Sequence, residues 1–127
     1  MNSYKISSQS SQKGVVLLEA LIAVLIFSFG ILALAGLQAA MVKNTSDAKY
    51  RADATFLAQQ RLGLMWANPV NLVSFVEDVS ITELPNGHRK VTLPAAGGEV
   101  MVEIKWTQPG QTVEHNYTTY ARIAGGD

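Results

Sequence analysis

The apolar run at residues 15–42 constrains this chain more than any other feature. The run contains a single charged residue, Glu19, and between residues 20 and 42 it contains none. A helix of about 20 apolar residues is enough to cross the hydrocarbon core of a bilayer. The sequence therefore predicts a membrane-spanning helix over 15–42.

Glu19 is the unusual residue of this run. A carboxylate at mid-membrane costs roughly 2.5 to 3.5 kcal/mol on insertion scales, so an acid there usually has a partner and a role. Glu19 follows Val15 by four residues, which is one helical turn. If the chain were cut after Gly14, the new α-amino group of Val15 would lie one turn from the carboxylate. From position alone, a Glu19 that merely snorkels to the membrane surface is the alternative.

The start of the run resembles the N-terminal signature of type IV pilins and of the pseudopilins of type II secretion. The signature is a short basic leader that ends in Gly, followed by an apolar helix with Glu at its fifth position. The matching residues are Lys13, Gly14, Val15, Val16, Leu17, Leu18 and Glu19. Two later stretches, GILALAGLQ at 30–38 and YRADATFLA at 50–58, are similar to PilV-type minor pilins in particular. The resemblance covers about half of the chain.

The resemblance implies a role for three of these residues. A prepilin peptidase would cut between Gly14 and Val15, and the exposed Val15 amine would then be N-methylated. The Glu19 carboxylate would pair with an N-terminal amine, commonly that of the neighbouring subunit. A buried charge is tolerable when another charge neutralises it, so this pairing would select assembly in the correct register.

The resemblance also implies a function and a location. We expect a minor pilin that contributes to pilus assembly or initiation, and hence to adhesion or twitching motility, and not an enzyme. Its expected partners are the prepilin peptidase, other minor pilins, the major pilin and the inner-membrane assembly platform. The expected location is the bacterial inner membrane, with the C-terminal domain in the periplasm, followed by incorporation into the pilus. No cofactor is expected.

The chain departs from the family's pattern at two points, of which the absence of cysteine favours a minor subunit. Family members most often begin the mature chain with Phe, where this chain has Val15. Many major pilins close a surface loop with two cysteines, and this chain has no cysteine. A minor pseudopilin of a type II secretion system, which shares the leader, Glu19 and the helix, is the alternative function.

Residues 1–14 are interpreted as a flexible leader. They include Lys5 and Lys13 but no acid, so the positive-inside rule places them in the cytoplasm. A second class of protein is a periplasmic binding module released by an ordinary signal peptidase, since Ala39 and Ala40 offer a cleavage site. The apolar core of such a signal is normally about 7 to 15 residues, which is shorter than this run. Basic and acidic residues number 10 each, so no nucleic-acid partner is expected.

Helical periodicity continues beyond the apolar run. Residues spaced by three and four share one helical face: Tyr50, Ala54, Leu57, Ala58, Leu62 and Met65. No proline occurs before Pro69, and the residue before a proline avoids the helical conformation. We therefore expect one helix over 15–66, roughly 75 Å long at 1.5 Å per residue, and a connector over 67–78.

The period changes to two over 79–123, which indicates strands with one buried side. The residues predicted to be buried form four groups: Val79 and Ile81; Val91 and Leu93; Val100, Val102, Ile104 and Trp106; and Val113, Tyr117, Ala121 and Ile123. Turn residues separate the groups at Asn86-Gly87, Gly97-Gly98 and Pro109-Gly110.

Short connections between successive strands predict an antiparallel sheet of about four strands. The amphipathic half of the helix, 43–66, offers a stripe that would cover the apolar face of this sheet. The predicted fold is therefore α+β, with one long N-terminal helix packed on a C-terminal antiparallel sheet. The pilin resemblance implies the same layout, with a domain over 43–127.

Few residues are candidates for a catalytic or metal-binding site. His88 and His115 lie far apart in the sequence, so surface histidines are expected and no metal site. Glu77 and Asp78 are expected in a solvated connector, because neighbours in sequence usually point apart and no third ligand is evident. No phosphate-binding loop or nucleophile motif is visible.

The two tryptophans allow two interpretations. Trp66 and Trp106 are candidates for contact anchors, because aromatic residues are enriched at interface hot spots. Alternatively, they close the two ends of a small core.

Overall fold

The computed structural model describes residues 9–94 and 98–124. The elements in chain order are helix α1 (Gln9–Ala67), a 3₁₀ helix (Pro69–Phe75), and strands β1 (Glu77–Ile81), β2 (Gly87–Thr92), β3 (Val100–Thr107) and β4 (Glu114–Ala121). The chain divides into two units between Lys43 and Asn44.

The first unit contains an apolar stretch of α1 whose side chains are exposed. The large apolar side chains between Val15 and Val42 are 49–69% exposed. This helix is long and apolar enough to cross a membrane, as predicted. Residues 9–14 correct the interpretation of a flexible leader, because α1 already begins at Gln9. Extending a helix adds one hydrogen bond per residue fixed, and only Gly14 opposes it here.

In the second unit, the later part of α1 buries the stripe predicted from the sequence. Ala54, Leu57, Ala58, Leu62 and Met65 are all buried, and Tyr50 packs against them while partly exposed. α1 ends at Ala67, one residue beyond the predicted end. Asn68 has φ −136° and ψ 64°, outside the helical region as expected before a proline.

The four strands form one antiparallel sheet in the order β1-β2-β3-β4. Val91 lies opposite Val102, and Val100 lies opposite Ala121, so apolar side chains align on the face that packs on α1. The alternation predicted for β3 is complete: Val100, Val102, Ile104 and Trp106 are buried, and the residues between them are not. The predicted α+β fold is confirmed.

Two of the predicted turns are present. Asn86 has φ +49°, and the Gly87 N–H donates to the Leu84 carbonyl at 3.0 Å. A Cβ on Gly87 would lie 2.7 Å from Ile81 Cγ1 and 2.8 Å from the Leu84 carbonyl oxygen, so only glycine fits there. Gly110 has φ +79° in the turn between β3 and β4. The predicted turn at Gly97-Gly98 lies partly outside the described residues.

The structure corrects three predicted positions. Val79 is 38% exposed because β1 is an edge strand of five residues. Val113 is 63% exposed because it precedes β4, and His115 lies opposite Trp106 on the inner face. The connector is shorter than predicted, since Glu77 already belongs to β1.

The contrast between Leu57 and Phe56 tests the packing of α1 on the sheet. Leu57 is 6% exposed, so Leu57→Ala is expected to lower the free energy of unfolding by about 2–5 kcal/mol. Phe56 is 66% exposed, so Phe56→Ala is expected to change it by less than about 0.5 kcal/mol. Denaturant unfolding of the full chain in detergent micelles, followed by the fluorescence of buried Trp106, measures both. Equal losses would contradict the packing described.

Candidate functional site

The three residues of the predicted processing and assembly site lie together on α1. Gly14, Val15 and Glu19 fall within two consecutive turns, and all three are exposed. Four residues of helix rise about 6 Å, so Val15 and Glu19 are on the same side of α1, one turn apart. Among the described residues, none forms an ion pair with Glu19.

The bond between Gly14 and Val15 lies at a weak point of the helix. Glycine in a helix interior costs about 1 kcal/mol relative to alanine. No described atom lies within 4 Å of the position that a Cβ on Gly14 would occupy, so packing within the described chain does not restrain it. Local unwinding is easier here than in the run of leucines, isoleucines and valines that follows.

A second group of charges joins the helix to the sheet in the second unit. Glu77 on β1 accepts a hydrogen bond from Arg89 Nε on β2, and its Oε2 forms an ion pair with Arg61 Nη2 on α1 at 2.9 Å. The three side chains are only 16–18% exposed. The guanidinium of Arg61 also lies over the ring of Phe75, 5.0 Å from its centroid. The Glu77 carboxylate therefore links β1 to α1 and to β2.

The sequence does contain a pattern that indicates this charge group, although the spacing of apolar residues alone does not reveal it. Arg61 lies four residues from Leu57 and four from Met65, both buried, so it belongs to the same stripe of α1. Arg89 alternates in phase with buried Val91 in β2. Charged residues at such positions indicate a buried pair, because an isolated buried charge is very costly.

A third, polar group links α1 to the turn after β3. Gln108 is 5% exposed and donates from Nε2 to Asp47 Oδ1 at 2.7 Å. Its Oε1 accepts from Gln111 Nε2 at 3.2 Å. Arg51, one turn along α1, donates to Asp47 Oδ2 at 3.1 Å and, with Gln108, lowers the pKa of this carboxyl. The group fixes the β3–β4 turn on the helix.

The histidines and tryptophans agree with the expectations only in part. His115 is half-buried, stacks on Trp106 with ring centroids 5.6 Å apart and contacts Gln111 at 3.1 Å, so it is not a simple surface histidine. His88 lies in β2 with its side chain 40% exposed, as expected of a surface histidine, and its Nε2 is 3.0 Å from Asp78 Oδ1. Trp106 is fully buried, in agreement with a core role. Trp66 is 62% exposed and does not close the core.

Glu77 and Asp78 lie in strand β1 and not in a solvated connector, which corrects the prediction, although their side chains point apart as expected. Both belong to β1, where neighbouring side chains point to opposite faces. Glu77 contacts the two arginines, and Asp78 contacts His88 and Lys90. Within the described residues, no group of three metal-binding side chains is present.

The fold and these sites define an α+β protein whose long N-terminal helix is apolar enough to cross a membrane. Comparison of the chain with known protein families, with curated proteins and with solved structures found no match.

Replacing Glu77 with glutamine tests the charge group that joins α1 to the sheet. Glu77→Gln leaves two largely buried guanidinium groups without a carboxylate, so we expect a loss of about 2–3 kcal/mol of stability. The control, Glu83→Gln, changes an exposed acid of the β1–β2 turn and is expected to cost less than about 0.5 kcal/mol. Denaturant unfolding of both full-length variants measures this difference. A neutral Glu77→Gln would show that the charges do not tie these elements together.

Proposed function

We propose that this protein is a PilV-type minor pilin, incorporated into a type IV pilus or its initiation complex. The observation that carries the proposal is an exposed apolar helix over 15–42 with a single acid, Glu19, one turn from Val15. The sequence around Gly14 supplies the family signature. The amphipathic half of α1, packed on a four-stranded sheet, supports the same assignment.

In this proposal the leader is removed before the subunit functions. A prepilin peptidase cuts between Gly14 and Val15, and the new amine of Val15 is N-methylated. The apolar helix keeps the subunit in the inner membrane, with residues 43–127 in the periplasm, since Lys5 and Lys13 retain the leader in the cytoplasm. The protein is a substrate of the peptidase and not itself an enzyme.

Assembly then moves one apolar helix from lipid into a bundle of similar helices. Apolar side chains that are 49–69% exposed in the single chain are covered in either environment. Glu19 is different, because neither environment solvates a carboxylate. A neighbouring subunit's Val15 amine neutralises it only when the two helices are staggered correctly. Subunits out of register would leave Glu19 unpaired, at a cost of several kcal/mol.

The soluble unit would contact other minor pilins, the major pilin and the assembly platform. It would thereby contribute to pilus initiation, adhesion or twitching motility. A minor pseudopilin of type II secretion shares the N-terminal features and remains the second candidate. Deleting the gene separates the two, because loss of secretion with normal pili would indicate the pseudopilin.

The N-terminus of the mature protein tests the processing step. In cells with an active prepilin peptidase, we expect the mature chain to start at a methylated Val15, as measured by N-terminal mass spectrometry. A cell without the peptidase should retain the leader. Substituting Gly14→Leu removes the helix-weakening glycine and should leave the chain uncut, whereas Gly36→Leu, further along the same helix, should not affect the cut. A start after Ala39 or Ala40 would show an ordinary secretory signal and overturn the proposal.

A further inference from the structure

Strand β4 presents a free edge in the second unit. The sheet order places β4 at one margin, and its eight residues pair with β3 without interruption, from Val100 opposite Ala121 to Thr107 opposite Glu114. Half of the backbone N–H and C=O groups of such a strand point away from its only neighbour. Within the described part of the chain, no other strand pairs with this edge.

The edge of β4 lacks the devices that usually block strand addition. Proteins protect edges with lysine, proline, bulges or very short strands. β4 contains none of these, and its only charged residue is Glu114 at the first position. The opposite edge, β1, has five residues, and both of its acids are held in ion pairs. The two edges therefore differ, and β4 is the open one.

An uncharged groove runs beside the end of β4. It has a volume of about 340 Å³ and lies between four residues of α1, Gln59, Leu62, Gly63 and Trp66, and residues 119–121 of β4. One wall of the groove is thus a helix, and the other is formed by residues of the edge strand β4. A chain entering this groove would meet backbone hydrogen-bonding groups on one side and apolar surface on the other.

Gly63 and Trp66 shape this groove. Glycine costs about 1 kcal/mol in a helix interior, and no described atom lies within 4 Å of where its Cβ would be. Tight packing of the described chain therefore does not require glycine at 63, and its missing side chain leaves the groove open. Trp66 lines the groove while remaining 62% exposed, and tryptophan is enriched at binding hot spots.

We propose that the edge of β4 and this groove bind an extended, uncharged segment of a partner protein, which joins the sheet as a fifth strand. Backbone hydrogen bonds to β4 would supply affinity, and alternate side chains of the segment would enter the groove against Trp66. The absence of charge in the lining favours apolar and small polar side chains. This site does not depend on Glu19 or on the proposed function.

A synthetic strand tests the proposal with the full chain in detergent micelles. The probe is a capped peptide with a segment of eight alternating threonines and leucines, matching β4 in length, and a lysine at each end for solubility. Binding should shift tryptophan emission to shorter wavelengths, because Trp66 becomes shielded while Trp106 is already buried. It should also slow amide hydrogen exchange in β4 and leave β1 unchanged.

Gly63→Leu provides the decisive variant, because position 63 lines the groove and an added Cβ there meets no described atom beyond the neighbouring stretch of helix, so the leucine side chain would occupy the groove. It should weaken binding of the peptide by roughly tenfold or more, about 1.4 kcal/mol. Ala52→Leu, at another exposed position of α1, should bind like the unaltered protein. A peptide with two central prolines cannot pair with a strand and should not bind.

Three results would overturn the proposal. The first is no binding of the alternating peptide, and the second is binding that Gly63→Leu leaves unchanged or that protects β1. The third is protection of β4 that rises with protein concentration in the absence of peptide, which would make a second copy of this chain the occupant. None of these results bears on processing at Gly14, so failure here is distinguishable from failure of the proposed function.

Discussion

The apolar side chains of residues 15–42 must be removed from water by something other than this chain. They are exposed on all sides of α1, and each square ångström of apolar surface left in water costs roughly 25 cal/mol. A bilayer or a bundle of similar helices can cover a helix that is apolar all round. The helix is long and apolar enough for a membrane to provide this cover.

Glu19 can make the membrane and an assembly of helices unequal in free energy. A leucine side chain has a similar free energy in lipid and in a bundle of apolar helices. Hydrophobicity alone therefore does not favour assembly over the membrane. A carboxylate is costly in both, and in the proposed function a neighbouring subunit's amine would relieve that cost only in the assembly. The exposed position of Glu19, one turn from Val15, is compatible with such an intermolecular pair.

The second unit is stabilised by the packing of the later part of α1 on the sheet. A domain of this size buries a modest core and is only marginally stable. The buried stripe of α1 and the inner face of the sheet form one apolar cluster, and Glu77 adds charged contacts to Arg61 and Arg89 at one side of it. The Gln108 and Asp47 contact fixes the β3–β4 turn on α1. Polar groups thus position the elements that the apolar cluster holds together.

The regular parts of the fold were predictable because periodicity reports burial directly. The stripe of α1, the alternation in β3 and the meander of four strands all followed from spacing and turn residues. Val113 shares the alternation of Tyr117 and Ala121 but is exposed, because it lies before the first residue of β4. His115 takes the first inner position of the strand, opposite Trp106, which the spacing of apolar residues does not reveal. Glu77 was assigned to solvent because its two arginine partners come from distant parts of the sequence.

The candidate site on α1 could be located from the sequence because its residues are neighbours along one helix. The groove beside β4 could not, since it depends on how the end of α1 lies against an edge strand. Trp66 shows the difficulty, because an exposed and a buried tryptophan have the same sequence signature in an amphipathic helix.

Incorporation of Glu19 variants into pili tests the central claim most directly. Pili sheared from cells that express equal amounts of each form would be analysed for this subunit by immunoblot, with cleavage at Val15 verified. The account predicts that Glu19→Ala is cut and retained in the membrane but largely absent from pili, whereas Gln38→Ala, on the same helix, enters normally. If Glu19→Ala entered pili as readily as the unaltered subunit, a charge pair would not drive assembly.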